Sequence, residues 1–130
     1  MNMAKILIID DDNDFTDAIK VILETKKYEV ISADNTKEGL LLLETENPDL
    51  LILDVMMEEK AAGFIISRQL RKNPKFQELP ILMLTSMREQ TGFFFPDDPK
   101  DEIFLPVNEF LEKPPAPEIL LEKVEKLLVK

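Results

Sequence analysis

The sequence predicts an α/β protein, a doubly wound parallel sheet with helices packed on its faces. Two observations carry this. Short apolar runs alternate with stretches of helical spacing along the 130 residues, the pattern of successive βαβ units. The most apolar runs, Ile6-Leu7-Ile8-Ile9, Leu50-Leu51-Ile52-Leu53 and Ile81-Leu82-Met83-Leu84, show no in-and-out alternation, as expected of strands covered on both sides.

Each element follows in order. Residues 6–9 form a first strand, stopped by Asp10-Asp11-Asp12. Phe15, Ala18, Ile19, Ile22 and Leu23 recur at helical spacing, which predicts an amphipathic helix from residue 13 to about 26. Residues 28–33 read as a second strand. Asn35 with Glu38 three positions on makes a capping box for a helix reaching about residue 46, which Asn47-Pro48 ends. A third strand over residues 50–53 finishes on Asp54. After an irregular loop over 56–61, Phe64, Ile65 and Leu70 mark a helix from residue 63 to about 72. A fourth strand begins at Pro80 and closes on Thr85-Ser86. Residues 87–106 contain Gly92, the triplet Phe93-Phe94-Phe95, Pro96, Pro99 and Pro106, so a long loop is expected with at most a turn or two of helix. Residues 107–111 form a last short strand and Lys113-Pro114-Pro115 a turn. Pro117 suits the first turn of a terminal helix reaching about residue 129.

Composition narrows the function. The length fits one domain over residues 1–130, large enough to bury a core without disulfides. Zero cysteines and zero histidines remove thiol and imidazole catalysis and ordinary zinc sites. A net charge of −10 opposes nucleic-acid backbones and anionic lipid surfaces, so no direct nucleic-acid partner is expected. No apolar run approaches the ~20 residues of a membrane span. Residues 1–5 lead straight into the first strand without the apolar core and cleavage site of a signal peptide, so a cytoplasmic location is expected.

The chemistry gathers at strand ends. In a doubly wound sheet, ligands bind outside the carboxyl ends of the strands, where the strand order reverses. Asp10, Asp11 and Asp54 close the two most apolar strands, Thr85 closes another, and Lys113 follows the last. Taken singly, each has a structural explanation: the aspartates could cap the first helix, Thr85 could satisfy a strand end, and Lys113 could be a solvated charge. Converging carboxylates repel one another, so they need a cation or raised pKa values to coexist. Oxygen-only ligands point to a hard ion. Mg²⁺ suits Asp11 and Asp54 with support from Asp10, since it takes one or two carboxylates and shares oxygens with a phosphate. A metal, an ammonium and a hydroxyl around one nucleophilic carboxylate are the parts that phosphoryl transfer needs.

These residues resemble the receiver domains of two-component response regulators. The segments that carry the resemblance are Ile6 through Asp12, Pro48-Asp49 through Met57, Leu84-Thr85-Ser86 and Phe110-Leu111-Glu112-Lys113-Pro114. The resemblance implies a flavodoxin-like, five-stranded sheet of order 2-1-3-4-5, with helices on both faces. It implies a signalling switch in which a histidine kinase or phosphotransfer protein phosphorylates Asp54 with Mg²⁺ as cofactor. Asp11, Asp54 and the backbone carbonyl of Met56 would bind the ion, Asp10 would assist, and Lys113 would contact the phosphoryl group. Thr85 and Phe110 would couple phosphorylation to a changed protein-interaction surface. No separate substrate is implied, only the chain's own phosphorylation and dephosphorylation.

The sequence departs from the family in places. Glu58 stands where a proline is usual, Ala62-Gly63 comes about one residue late, and residues 87–106 leave the family's fourth helix short or irregular. The last departure touches the surface where receivers dimerise or meet targets. The downstream protein is therefore unknown and a homodimer stays open. Phe93 to Phe95 either contact a partner or fold back over the core. Met56 and Met87 fall on positions that in the family affect how water reaches the phosphoryl group, so with apolar residues there the resemblance implies a slowly hydrolysing phosphoaspartate. A chain that ends with its last helix leaves no room for an output domain, so it is expected to act alone. Two rivals stay open: a haloacid-dehalogenase-like phosphatase using Asp10-x-Asp12, and a phosphorylation-independent interaction module on the same fold. A flavodoxin-like electron carrier lacks its phosphate-cradling loop here. Fold alone does not separate these.

Overall fold

The computed structural model describes residues 4–54, 62–85 and 108–129. The expectations for residues 56–61 and 87–106, including the Met56 carbonyl, Met87, Phe93 to Phe95 and the shape of the fourth helix, lie outside the described residues. The elements are β1 (Lys5–Ile9), α1 (Asn13–Glu24), β2 (Glu29–Ala33), α2 (Thr36–Glu46), β3 (Leu50–Asp54), α3 (Ala62–Arg71), a 3₁₀ turn (Pro74–Phe76), β4 (Ile81–Thr85), β5 (Glu109–Glu112) and α4 (Pro117–Leu128). All strand pairs are parallel and the order is β2-β1-β3-β4-β5, as the resemblance implied.

Parallel strands with helices on both sides must bury both faces, and the alternation of side chains divides the core accordingly. Leu7, Ile9, Leu51, Leu53, Ile81 and Met83 meet Leu43 of α2 and Ile66 and Leu70 of α3. Their neighbours Ile6, Ile8, Leu50, Ile52, Leu82 and Leu84 meet Ile19 and Leu23 of α1 and Leu120 and Val124 of α4. Every residue of β3, Asp54 included, is buried.

Element ends follow local chemistry and correct several expected boundaries. Helix α1 stops at Glu24, with Thr25 as its C-cap and Lys27 at φ 67°, short of residue 26. Asn35 caps α2 by accepting from the Glu38 amide at 2.8 Å, and Asn47 leaves the helix left-handed at φ 49°. The run Leu40 to Leu43 gives no helical pattern by itself. Packing sorts it, burying Leu43 and leaving Leu41 60% exposed. The 3₁₀ turn was not foreseen; Asn73 starts it by accepting from the Lys75 amide at 3.0 Å. Arg71, at the end of α3, donates to the carbonyls of Phe76 and Leu79, each at 2.8 Å, and to Asn108 Oδ1 at 2.9 Å. Asn108 also bonds both backbone groups of Ile81, so β5 enters the sheet through a side-chain rung and its regular pairing starts at Glu109.

Two predictions follow from this packing. Gly39 lets α2 press on the end of β1: a Cβ there would lie 2.5 Å from Ile9 Cδ1 and 2.9 Å from Ile9 Cγ1, in a side chain with no exposed surface. Gly39→Ala therefore destabilises by about 1–3 kcal/mol in urea unfolding, although alanine is the better helix former by about 1 kcal/mol. Adding Ile9→Val, which removes the nearest atom, recovers part of the loss. The second concerns Glu109, which joins β5 to α4 through Lys123 at 2.9 Å and Lys126 at 3.0 Å. The Lys123 hydrogen bond outweighs partial burial and, with Lys126, holds the Glu109 carboxyl below its ordinary 4.5. A depressed carboxyl pKa stabilises above the unfolded value, and the effect disappears as pH falls through the folded one. The stability difference between the parent chain and Glu109→Gln is thus level near neutrality and shrinks below pH 4.5.

Candidate functional site

The chain leaves β1 for β2 on one side and returns through β3 on the other, so the strand order reverses between β1 and β3. A crevice opens there outside the carboxyl ends. Asp10 follows β1 directly, its amide still bonded to the Ala33 carbonyl at 3.1 Å, and Asp54 is the last residue of β3. Lys113 follows β5 at a cis Lys113–Pro114 bond.

Tertiary packing separates the three consecutive aspartates. Asp12 caps α1, its Oδ1 accepting from the Phe15 amide at 3.1 Å. Asp10 is 1% exposed and turns inward, with Oδ1 accepting from the Asp12 amide at 2.9 Å. Asp11 is exposed at the rim. The carboxylate oxygens of Asp10, Asp11 and Asp54 lie within 4.8 Å of one another. The cap explanation thus holds for Asp12 and fails for Asp10.

Lys113 Nζ lies 2.9 Å from Asp10 Oδ2 and 3.6 Å from Asp54 Oδ2. The Asp10 contact is an ion pair rather than an aligned hydrogen bond, since Oδ2 is buried without a hydrogen-bond partner of good geometry. Burial alone would lower the ammonium's pKa, but Asp10, Asp54 and Asp12 together hold it above its ordinary value. The solvated-charge explanation of Lys113 fails, because its side chain is only 15% exposed.

The donor set fits a hard divalent cation. Among the described residues, three carboxylates face one ammonium, an excess of two negative charges, and two of the three carboxylates are buried. A dication sharing these oxygens would neutralise that excess. Sequence reasoning missed Phe15, whose ring centroid lies 4.5 Å from Lys113 Nζ; its apolar spacing marked it only as core. Phe110 sits on β5 opposite Met83 and packs, partly buried, against the α2–α3 side of the core. Thr85 ends β4 opposite Glu112, while its hydroxyl lies outside what the structure describes. No helix among the described residues is long and apolar enough to cross a membrane.

Known proteins share this sequence pattern and this fold. The response regulator receiver domain model matches residues 6–125. The chain is 34% identical over 124 residues, 95% of its length, to the alkaline phosphatase synthesis transcriptional regulatory protein PhoP of Bacillus subtilis, of which the match covers 48%. It is 36% identical over 120 residues to an uncharacterized 14.6 kDa protein of Leptolyngbya boryana, covering 92% of this chain and 86% of that one. It thus spans about half the length of the PhoP relative. Among solved structures, the chemotaxis response regulator CheY4 of Vibrio cholerae superposes with TM-score 0.82 at 28% identity, covering 98% of this chain and 100% of that one. A response regulator from Chloroflexus aurantiacus gives 0.82 at 29% identity, covering 99% and 100%. The acidic group at the strand-order reversal and the match over nearly all of the chain agree: the protein belongs to the response regulator receiver domain family.

Proposed function

We propose that the chain, acting as one domain, is a phosphoacceptor switch in which Asp54 takes a phosphoryl group from a histidine kinase or phosphotransfer protein. One observation carries this reading. Asp54, 4% exposed, shares a cluster with Asp10 and Asp11 and has an ammonium 3.6 Å from Oδ2.

In the proposed reaction an Asp54 carboxylate oxygen attacks phosphorus, and the bond to the donor's nitrogen breaks as the donor leaves. Charge spreads over the phosphoryl oxygens, so positioning and neutralisation do most of the catalysis. Lys113 neutralises one of those oxygens from its place between Asp10 and Asp54. Asp11 and Asp54, with the Met56 carbonyl, would hold Mg²⁺, and Asp10 would orient the set. When bound, Mg²⁺ would supply the remaining positive charge for the incoming phosphoryl group. Thr85 and Phe110 are the proposed relay to a protein-interaction surface, which requires different contacts in the two states. In this reading the chain would act in the cytoplasm, with a protein as its downstream target. The commitment of Asp12 to the α1 cap works against a phosphatase that would use it as a second catalytic acid.

Incubation with Mg²⁺ and acetyl phosphate, read by intact mass, yields one phosphoryl adduct on the parent chain and none on Asp54→Asn. No Asp54-dependent adduct would sink the reading. A second expectation concerns stability. Asp54→Asn relieves like-charge repulsion, so its Tm in EDTA exceeds that of the parent chain. Adding Mg²⁺ then raises the parent's Tm, by roughly the 2.7 kcal/mol of stabilisation that saturation 100-fold above Kd confers, and raises the variant's far less. An equal Mg²⁺ response in both chains would remove Asp54 from the metal site.

A further inference from the structure

Lys113 is held from two sides. Two carboxylates face its ammonium, at 2.9 and 3.6 Å, and the Phe15 ring lies across from Nζ with its centroid at 4.5 Å. That is well inside the ~6 Å reach of a cation–π attraction. The ring's own place is set by the helix it starts: the Phe15 amide donates to the capping Asp12, and the side chain packs, half-buried, on the α1–α4 side of the core.

A lysine at this position needs such a holder. Its stem has four rotatable carbons, and it follows a four-residue strand paired on one side only. Its ion pair with Asp10 is poorly aligned for a hydrogen bond, so that contact does not fix its direction. A phosphoryl group on Asp54 would also draw the ammonium away from Asp10. A ring face attracts a cation without demanding a particular N–H direction, so it can keep hold while the carboxylate side changes.

We propose that Phe15 is a positioning residue for phosphoryl transfer, its ring face holding the Lys113 ammonium against Asp54 before and after the acceptor is modified. The inference rests on the reading of Asp54 as phosphoacceptor. Phe15 itself touches no reacting atom.

The test measures initial rates of Asp54 adduct formation from acetyl phosphate at saturating Mg²⁺. Phe15→Leu, which keeps the apolar bulk and loses the ring, slows the reaction ~3- to 10-fold, and Phe15→Tyr, which keeps the ring, stays within about 2-fold of the parent. The Mg²⁺ concentration giving half the thermal shift is the same in all three. In a Lys113→Met background, Phe15→Leu makes no further difference. An unslowed Phe15→Leu, a Tyr variant as slow as the Leu variant, or an equal loss in both backgrounds overturns the role of Phe15 while leaving the Asp54 reading intact. No adduct on the parent chain overturns both. If Lys113→Met does not fold, the contrast between Leu and Tyr at unchanged Mg²⁺ dependence decides the question.

Discussion

Burial of β1 and β3 on both faces is the constraint from which the rest of the structure follows. Their side chains from Ile6 to Ile9 and from Leu50 to Leu53 have no exposed surface. A polar group in the middle of either strand would lose its hydration without a partner, so polar chemistry is displaced to the strand ends. Because the strand order reverses between these two strands, their ends open on one crevice. Asp10 and Asp54 occupy it.

The same burial makes the crevice electrostatically demanding. Carboxylates at 1% and 4% exposure are poorly screened by water, so their charge must be met by groups brought from elsewhere. Lys113 meets part of it, delivered by β5 at the far edge of the sheet. The short β5 is secured where it begins. Asn108 and Arg71 fasten its entry, and Glu109 ties it to α4 through Lys123 and Lys126. A displacement of one residue along β5 would move Lys113 by ~3.3 Å, comparable with its distance to either carboxylate. Register at the edge strand and charge balance at the centre are therefore linked.

Much of this was legible in the chain. Runs such as Ile6 to Ile9, short, β-branched and stopped by polar residues, suit strands buried on both sides, and the polar residues that terminate them point at a strand-end site. Asn35 with Glu38 announced α2, and Pro117 announced α4. Boundaries were less legible. The end of α1 at Glu24 and the entry of β5 depend on Thr25 capping and on Arg71 and Asn108 contacts between segments far apart in sequence. The four consecutive leucines of α2 likewise carry no periodicity that distinguishes buried Leu43 from exposed Leu41.

The sequence by itself determined the fold class, the family resemblance and the set of polar residues at the strand ends, because these depend on local pattern and order along the chain. Only the tertiary structure decided how that set divides. It turned Asp10 inward and left Asp12 on the helix cap, a division that the resemblance implied and that local pattern alone leaves open. It placed Phe15 beneath the Lys113 ammonium, a contact between residues far apart in the chain. Such pairings arise from the crossing of β5 to the sheet edge and the packing of α1 beside β1, and no spacing within either segment encodes them.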